Sequence, residues 1–464
     1  MQKKTHEVDM VSGAIFSKLV MFAIPVMLSG FLQLLFNAAD VIVVGRFAGD
    51  NALAAVGSTS SLVNLLVNLF LGLSVGTNVL VSHYVGSGQR EEVERTVHTA
   101  IAMAVISGVI LIFVGLFFTR PMLVIMGSPK EVLPLSAIYL KIYFAGMPAM
   151  MVYNFGSAIL RAVGDTKRPM YYLSAAGVLN VGLNLFFVIG LGISVKGVAL
   201  ATTISQVLSA GLVVWALMRE EGMCHLDIKK LRIYPDKLKR LIRIGLPAGM
   251  QGMVFSISNV LIQSSINSFG SVAMAGNTAS ASVEGFVYVS MNSMHQTAIS
   301  FISQNYGAGK WDRIKRIAKE CLAMVTVIGL VMGIGVNVCS GQLLHFFSTK
   351  EEVIAYGATR LLYVALPYCM CGWMDTLVGV IRGLGYSLLP TIVSLIGACG
   401  FRVVWICTIF QWVHTLPCLY SSYPVSWILT AAAHMTCLFF IARKLHPHGK
   451  EQTKMIEIGG NKER

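Results

Sequence analysis

Three acidic side chains lie deep inside long stretches of the chain that otherwise carry almost no charge: Asp40, Glu284 and Asp375. A carboxylate in the hydrocarbon of a bilayer costs about 2.5–3.5 kcal/mol on insertion scales, so it faces a cavity or a partner instead of lipid. Intramembrane acids of this kind mark ion or substrate pathways. These three residues therefore predict that the chain moves ions or charged solutes across a membrane.

Polar side chains accompany Asp40 at helical spacing. Those of the first apolar stretch share one face of a helix; they are Ser29, Gln33, Asn37 and Asp40. Asn180 and Asn184 lie four residues apart on a later stretch, and Thr202 lies on the next one. The interiors of these stretches carry no basic residue, so amides, hydroxyls, water or a bound cation would neutralise Asp40. The alternative is that the neutral polar residues only hold helices together.

The second half of the chain carries a different set of charges. Glu284 and Tyr288 lie four apart on one helix face, and we expect them to form a polar site for substrate or ions with Asp375. Arg402 is the strong base most central to any stretch of this half. A buried arginine needs an anion, so we expect Arg402 to pair with Asp375 for stability. A role for the acids in ion coupling is the alternative.

The composition is that of an integral membrane protein. Hydrophobic residues make up 55% of the chain and charged residues 12%, with a mean hydropathy of +0.70, whereas soluble domains are about one-quarter charged. Twelve apolar stretches are long enough to cross about 30 Å of hydrocarbon. The predicted fold class is therefore all-α, with twelve transmembrane helices and the lipid bilayer as surroundings.

The net charge of +14 is distributed asymmetrically. Most Lys and Arg residues fall at the two termini and in every second loop, which is the positive-inside pattern. This pattern argues against nucleic-acid binding and predicts a multi-pass protein of the cell (plasma or inner) membrane with both termini in the cytoplasm. The nine cysteines show no zinc-ligand or disulfide spacing.

The chain repeats itself after about 220 residues: Pro25 recurs as Pro247, and both are expected to bend their helices. Each half holds six stretches, so the two halves enter the membrane in the same orientation. The predicted segments are a cytoplasmic N-terminus (1–16), an N-lobe (17–218), an amphipathic cytoplasmic connector (219–240), a C-lobe (241–444) and a disordered cytoplasmic tail (445–464).

Four short segments carry a family resemblance that, with the repeat, extends over roughly residues 15–445. The first segment begins at residues 24–27 and continues through Asp40 to Val44-Gly45-Arg46. The other three are residues 164–169, 197–202 and 304–309. On these segments the chain resembles multidrug and toxic compound extrusion (MATE) transporters, in the branch with an acidic residue on the first transmembrane helix.

The resemblance implies a V-shaped pair of six-helix bundles that exports cationic or amphiphilic organic compounds in exchange for Na⁺ or H⁺. It places the cation site, which could hold Na⁺, at Asp40, Asn180 and Asn184, with Gln33 and Thr202 as further members. Asn184 departs from relatives that carry a second Asp there. No ATPase domain or hydrolytic constellation is visible in the sequence, so we expect a transporter and not an enzyme, with no cofactor besides the coupling ion.

Two other readings compete with drug export. A flippase or exporter of lipid-linked or polar metabolites in the same superfamily would be expected to hold basic residues in its cavity, whereas the central charges here are three acids and one arginine. A channel is disfavoured by the repeat and by the acid in mid-span. We expect a monomer that handles small-molecule substrates.

Overall fold

The computed structural model describes residues 7–125 and 129–460, and these residues contain helices and no strand. Seventeen α-helices follow one another. They are α1 (Ile15–Phe47), α2 (Asp50–Gly86), α3 (Arg90–Ile125), α4 (Leu133–Ala145), α5 (Met147–Ala162), α6 (Lys167–Leu185), α7 (Ser194–Met218), α8 (Pro235–Asn267), α9 (Ser271–Gly307), α10 (Trp311–Val338), α11 (Ser340–His345), α12 (Glu351–Arg360), α13 (Tyr368–Gly383), α14 (Leu388–Ser394), α15 (Phe401–Cys407), α16 (Ile409–Trp412) and α17 (Leu416–Gly460).

Among the described residues, nine helical segments are long and apolar enough to cross a bilayer, or up to eleven if each of two bent pairs counts as one span. The one predicted stretch not among them is the eighth in chain order, 272–304, which corresponds to α9, a helix of 37 residues. Its Ser, Asn and Gln residues, together with Glu284 and His295, lower its hydropathy. The all-α multi-pass fold that the sequence predicts is confirmed.

The two bent pairs break where proline interrupts the backbone. α4 and α5 meet at 46° beside Pro148, and the helical segments Glu351–Ala365 and Tyr368–Gly383 meet at 43° beside Pro367. Proline lacks the N–H that an uninterrupted helix needs. Pro25 and Pro247, by contrast, lie inside the continuous helices α1 and α8, and a bending role for these two stays a prediction.

Three π-helical turns follow or join these helices: Phe186–Gly190 after α6, Leu361–Ala365 after α12 and Leu395–Gly400 between α14 and α15. A π-turn inserts one residue into the helical repeat, so it rotates the side chains that follow it, and such turns occur frequently at functional sites. Two of the three lie within a few residues of a polar side chain that the sequence singles out, Asn184 before the first turn and Arg402 after the third.

The chain forms two compact units. The first holds Leu28–Val81 and Gln89–Met253 with the described residues up to Val8; the second holds Asp9–Met27, Ser82–Gly88 and the described residues from Val254 onward. In the first unit α2 and α8 approach closely, because a Cβ on Gly72 would lie 2.0 Å from the backbone nitrogen of Gly249. In the second, a Cβ on Gly329 would lie 2.7 Å from Cα of Cys369. Small residues let membrane helices pack in this way.

The segment between α7 and α8 is mostly irregular, with a short 3₁₀ turn at Ile228–Lys230. It is fastened to α3: the backbone N–H of Asp227 donates to Nε2 of His98 at 3.2 Å, and that of Tyr234 donates to Thr99 Oγ1 at 3.1 Å. α17 continues to Gly460, past residue 445, where the sequence predicts disorder. Lys, Glu and Gln are frequent in this stretch and favour helix. Residues 461–464 lie outside the described part.

Candidate ion and substrate sites

Asp40 lies in a chain of side-chain hydrogen bonds within the first unit. Nδ2 of Asn184 donates to Oδ1 of Asp40 and also to Oδ1 of Asn180, at 3.2 Å in the second case. Nδ2 of Asn180 donates to Oγ1 of Thr202 at 3.4 Å, and that hydroxyl donates to the carbonyl of Val198 at 3.0 Å. Three helices, α1, α6 and α7, therefore bring four of the predicted residues together.

Local sequence explains this geometry. Asn180 and Asn184 are one helical turn apart on α6, so their amides stack on one face. Gly177 lies one turn earlier, and a Cβ there would be 1.8 Å from Cε2 of Phe36. The missing side chain lets α1 lie against α6 one turn before Asp40. Sequence reasoning missed Gly177, although its spacing of three from Asn180 is a visible signal.

One polar atom of this cluster accepts no hydrogen bond from the described residues. Oδ1 of Asn184 is buried and has no hydrogen-bond partner among the described residues, although buried polar atoms are usually satisfied. An amide oxygen accepts a hydrogen bond or binds a hard cation. The carboxylate of Asp40 and the hydroxyl of Thr202 belong to the same cluster and are oxygen ligands of the type that such a cation prefers.

Two tyrosines that the sequence analysis did not single out stand beside the cluster. Tyr139 and Tyr143 of α4 stack with ring centroids 5.9 Å apart and an interplanar angle of 21°. Both interact electrostatically with the carboxylate of Asp40. Aromatic faces next to a carboxylate form a favourable environment for an organic cation. Their one-turn spacing in an apolar stretch was the available signal.

Gln33 and Asn37 are exposed on α1. Neither side chain makes a hydrogen bond to Asp40, Asn180, Asn184 or Thr202 within the part of the chain that the structure describes. The four-residue spacing places them on the predicted helix face, but that face extends away from the α6–α7 amides at these positions.

Glu284 of the second unit is bound by a buried arginine. Nε and Nη2 of Arg360 donate to Oε2 of Glu284 at 3.1 and 2.7 Å, and the Tyr368 hydroxyl donates to Oε1 at 3.1 Å. Nη1 of Arg360 donates to Oδ1 of Asn277. Sequence reasoning missed Arg360 as the partner of Glu284, because Arg360 lies toward the beginning of its predicted span and not at its centre. The π-turn that begins at Leu361 marks the position.

The predicted Arg402–Asp375 ion pair is wrong. Nε of Arg402 donates to Ser426 Oγ at 3.0 Å, and its guanidinium carbon lies 4.3 Å from the ring centroid of Tyr423. No ion pair joins Arg402 to Asp375 in residues 7–125 and 129–460. The π-turn that ends at Gly400 lies two residues before Arg402, and the Arg402 side chain contacts Ser426 and Tyr423 of α17.

Asp375 of α13 and Tyr288 of α9 are near neighbours. The backbone carbonyl of Asp375 accepts a hydrogen bond from Nδ1 of His295 at 2.6 Å, and its side chain interacts electrostatically with Tyr288. Tyr288 is 44% exposed. The structure therefore brings Tyr288 close to Asp375, while Glu284 is held separately by Arg360.

Comparison with known proteins identifies the family. The MatE family model matches this chain twice, over residues 25–186 and 247–407. The chain belongs to the MatE family of membrane transporters. The two matches begin at Pro25 and Pro247, the residues from which the sequence repeat was read. The first contains Asp40, Asn180 and Asn184, and the second contains Glu284 and Arg360.

Individual relatives agree with this assignment. A probable multidrug resistance protein of Bacillus subtilis, YoeA, is 30% identical over 84% of this chain and 86% of its own length. An FAD transporter of Shewanella oneidensis is 24% identical over 72% of this chain and 74% of its own. A crystal structure of MATE in the bent conformation superposes with a TM-score of 0.88 at 21% identity, covering 97% of this chain and all of the other. This chain therefore shares the fold of that MATE structure over nearly its whole length.

Proposed function

We propose that this MatE protein is a secondary-active antiporter that exports cationic or amphiphilic organic compounds in exchange for Na⁺ or H⁺. One observation carries the proposal: Asp40 has no cationic side-chain partner among the described residues and is paired only with neutral groups. Its neighbours are amides, a hydroxyl and the stacked rings of Tyr139 and Tyr143. The name of the Bacillus relative supports drug export as the transport class.

A lone carboxylate among neutral groups holds one cation at a time, so coupling follows from competition. With Na⁺ bound, Asp40 and the unpaired Oδ1 of Asn184 would share the ion. With a proton bound, Asp40 becomes a donor, and the same amide oxygen is an available acceptor. Either event neutralises the charge that attracts an organic cation beside Tyr139 and Tyr143, so ion entry would release the drug.

We propose that the protein belongs to the MatE members with an acidic residue on the first helix, because the mechanism depends on Asp40. We further propose a cell-membrane protein with both termini in the cytoplasm, acting as a monomer with an N-lobe of residues 17–218 and a C-lobe of 241–444. Cysteine labelling from outside intact cells should succeed at Lys130→Cys and fail at Lys239→Cys, an exposed position of the 219–240 connector. Labelling at Lys239→Cys would overturn this topology.

Purified protein in proteoliposomes tests the transport proposal. Export of a fluorescent organic cation is followed while a Na⁺ gradient and a pH gradient are imposed separately. We expect one gradient to drive wild-type export and Asp40→Asn to abolish that dependence. Equal export with and without either gradient would contradict antiport.

Export of a polar, anionic metabolite is the second candidate. Arg402 is buried, makes no ion pair in the described residues and stacks on Tyr423, which suits a planar anion. The Shewanella relative is named as an FAD transporter. FAD movement in the same proteoliposomes, lost in Arg402→Ala but retained in Asp40→Asn, would favour this second candidate over drug export.

A further inference from the structure

An apolar groove lies between α5 and α7 in the first unit, away from the Asp40 cluster. Its volume is about 410 Å³, and its lining includes Pro148, Val152, Val207, Gly211, Trp215 and Met218. A Cβ built on Gly211 would have no heavy atom within 4 Å. The groove is thus open beside this glycine, and the surrounding helices do not fill it.

The dimensions of the groove match one leaflet of a bilayer. Its α7 lining extends from Val207 to Met218, roughly 16 Å along the helix axis at 1.5 Å per residue. Half of the hydrocarbon core is about 15 Å. An acyl chain that enters from the end of α7 would therefore lie in the groove along its full depth within a single leaflet.

A cation stands at the open end of this groove. The guanidinium carbon of Arg219 lies 4.5 Å from the ring centroid of Trp215, which lines the groove. Arg219 makes no ion pair among the described residues, and the neighbouring carboxylate of Glu220 is bound by Arg168 at 2.9 Å. Tryptophan and arginine at the end of a membrane helix are placed at headgroup depth.

We propose that this groove binds an anionic phospholipid, with one acyl chain along α5 and α7 and the phosphate at Arg219. The acyl chain covers the apolar lining beside Gly211, and the phosphate neutralises a guanidinium that the protein leaves without a counter-ion. Basic groups at the membrane surface attract anionic headgroups by about 1 kcal/mol per residue. The site is independent of the ion and substrate clusters.

Native mass spectrometry of the full chain in detergent micelles tests the proposal. Phosphatidylglycerol and phosphatidylcholine are added at matched concentrations, and bound lipids are counted. We expect phosphatidylglycerol to bind more tightly, Arg219→Ala to weaken it about five-fold, and Gly211→Leu to remove the bound lipid by filling the groove. Glycerophosphoglycerol, which lacks acyl chains, should not bind.

Two matched controls exist in the chain. Arg443 also stacks on an aromatic ring, at 4.3 Å from the centroid of Phe439, and Gly335 also has no heavy atom within 4 Å of a built Cβ. Arg443→Ala and Gly335→Leu should leave the bound lipid unchanged. Equal retention in Gly211→Leu and Gly335→Leu, or no preference between the two phospholipids, would overturn the proposal.

Discussion

Arg360 of α12 donates two hydrogen bonds to a single carboxylate oxygen of Glu284 on α9. Both side chains are buried, and Tyr368 occupies the other carboxylate oxygen. Glu284 is therefore neutralised by its own protein, whereas Asp40 of the first unit is hydrogen-bonded only by neutral side chains among the described residues. Of these two membrane acids, Asp40 is the one whose charge is left for a mobile cation.

The Arg360–Glu284 pair should be a stability element. Removing one partner of a buried pair typically costs about 3–5 kcal/mol, because the other charge stays buried without compensation. Thermal unfolding in detergent should show Arg360→Ala strongly destabilised. Arg360→Met combined with Glu284→Gln should recover much of the loss, because no charge is then stranded. A double variant as unstable as Arg360→Ala would contradict the pairing.

Arg402 and Asp375 should be only weakly coupled. Arg402 is fixed by Ser426 and by the ring of Tyr423, and it interacts with Asp375 electrostatically without a direct ion pair among the described residues. Arg402→Ala should cost about 2 kcal/mol, as expected for a desolvated cation–π contact. Adding Asp375→Asn should recover only a small part of this loss of unfolding free energy. A full rescue of Arg402→Ala by Asp375→Asn would restore the ion pair that we reject.

Gly177 should be required for the approach of α1 to α6. A methyl group there would meet the ring of Phe36, and overpacking of this kind costs about 1–3 kcal/mol. Because Phe36 lies one turn from Asp40, Gly177→Ala should also reduce gradient-driven transport. Gly182→Ala is the matched control on the same helix, since nothing lies within 4 Å of its built Cβ; it should fold and transport as wild type. Equal behaviour of both variants would remove this role from Gly177.

The residues just before α1 should be held by α10. Arg313 donates from Nη1 to the carbonyl of Gly13 at 2.8 Å and from Nη2 to that of Ser12 at 3.1 Å. Hydrogen exchange of residues 9–14 should therefore accelerate in Arg313→Ala. Lys315→Ala is the control, because Lys315 makes only an exposed contact of 4.0 Å with Asp312. Unchanged exchange in Arg313→Ala would contradict the proposed anchoring.

Periodicity and charge were sufficient to predict the all-α fold, because membrane-spanning helices follow from long apolar stretches. The grouping of Asp40 with Asn180, Asn184 and Thr202 came instead from the family resemblance, since spacing shows which residues share a face of one helix but not which helices meet. The two failures in the second unit have different causes. Arg402 follows a π-turn, whose inserted residue rotates the side chains after it, and apolar sequence carries no clear signal for that insertion. Arg360 was missed because it lies toward the beginning of its predicted span. Partner choice in the second unit therefore needed the structure.

Asp40 itself gives the decisive test of transport. Asp40→Asn keeps the size of the side chain but removes its charge, so the protein should fold and reach the membrane while losing gradient-driven export and drug resistance.

Asn184→Leu should have a different effect: the carboxylate of Asp40 remains, but the amide group that donates to it and the unpaired amide oxygen are gone. If Na⁺ is the coupling ion, Asn184→Leu should raise the Na⁺ concentration needed for half-maximal export, because an oxygen ligand is lost. If H⁺ is the coupling ion, the variant should instead shift the pH dependence of export and leave its Na⁺ response flat. The matched control is Gln33→Leu on the exposed face of α1, which should alter neither response. Wild-type, gradient-driven export by a well-folded Asp40→Asn protein would rule out the carboxylate as the coupling group.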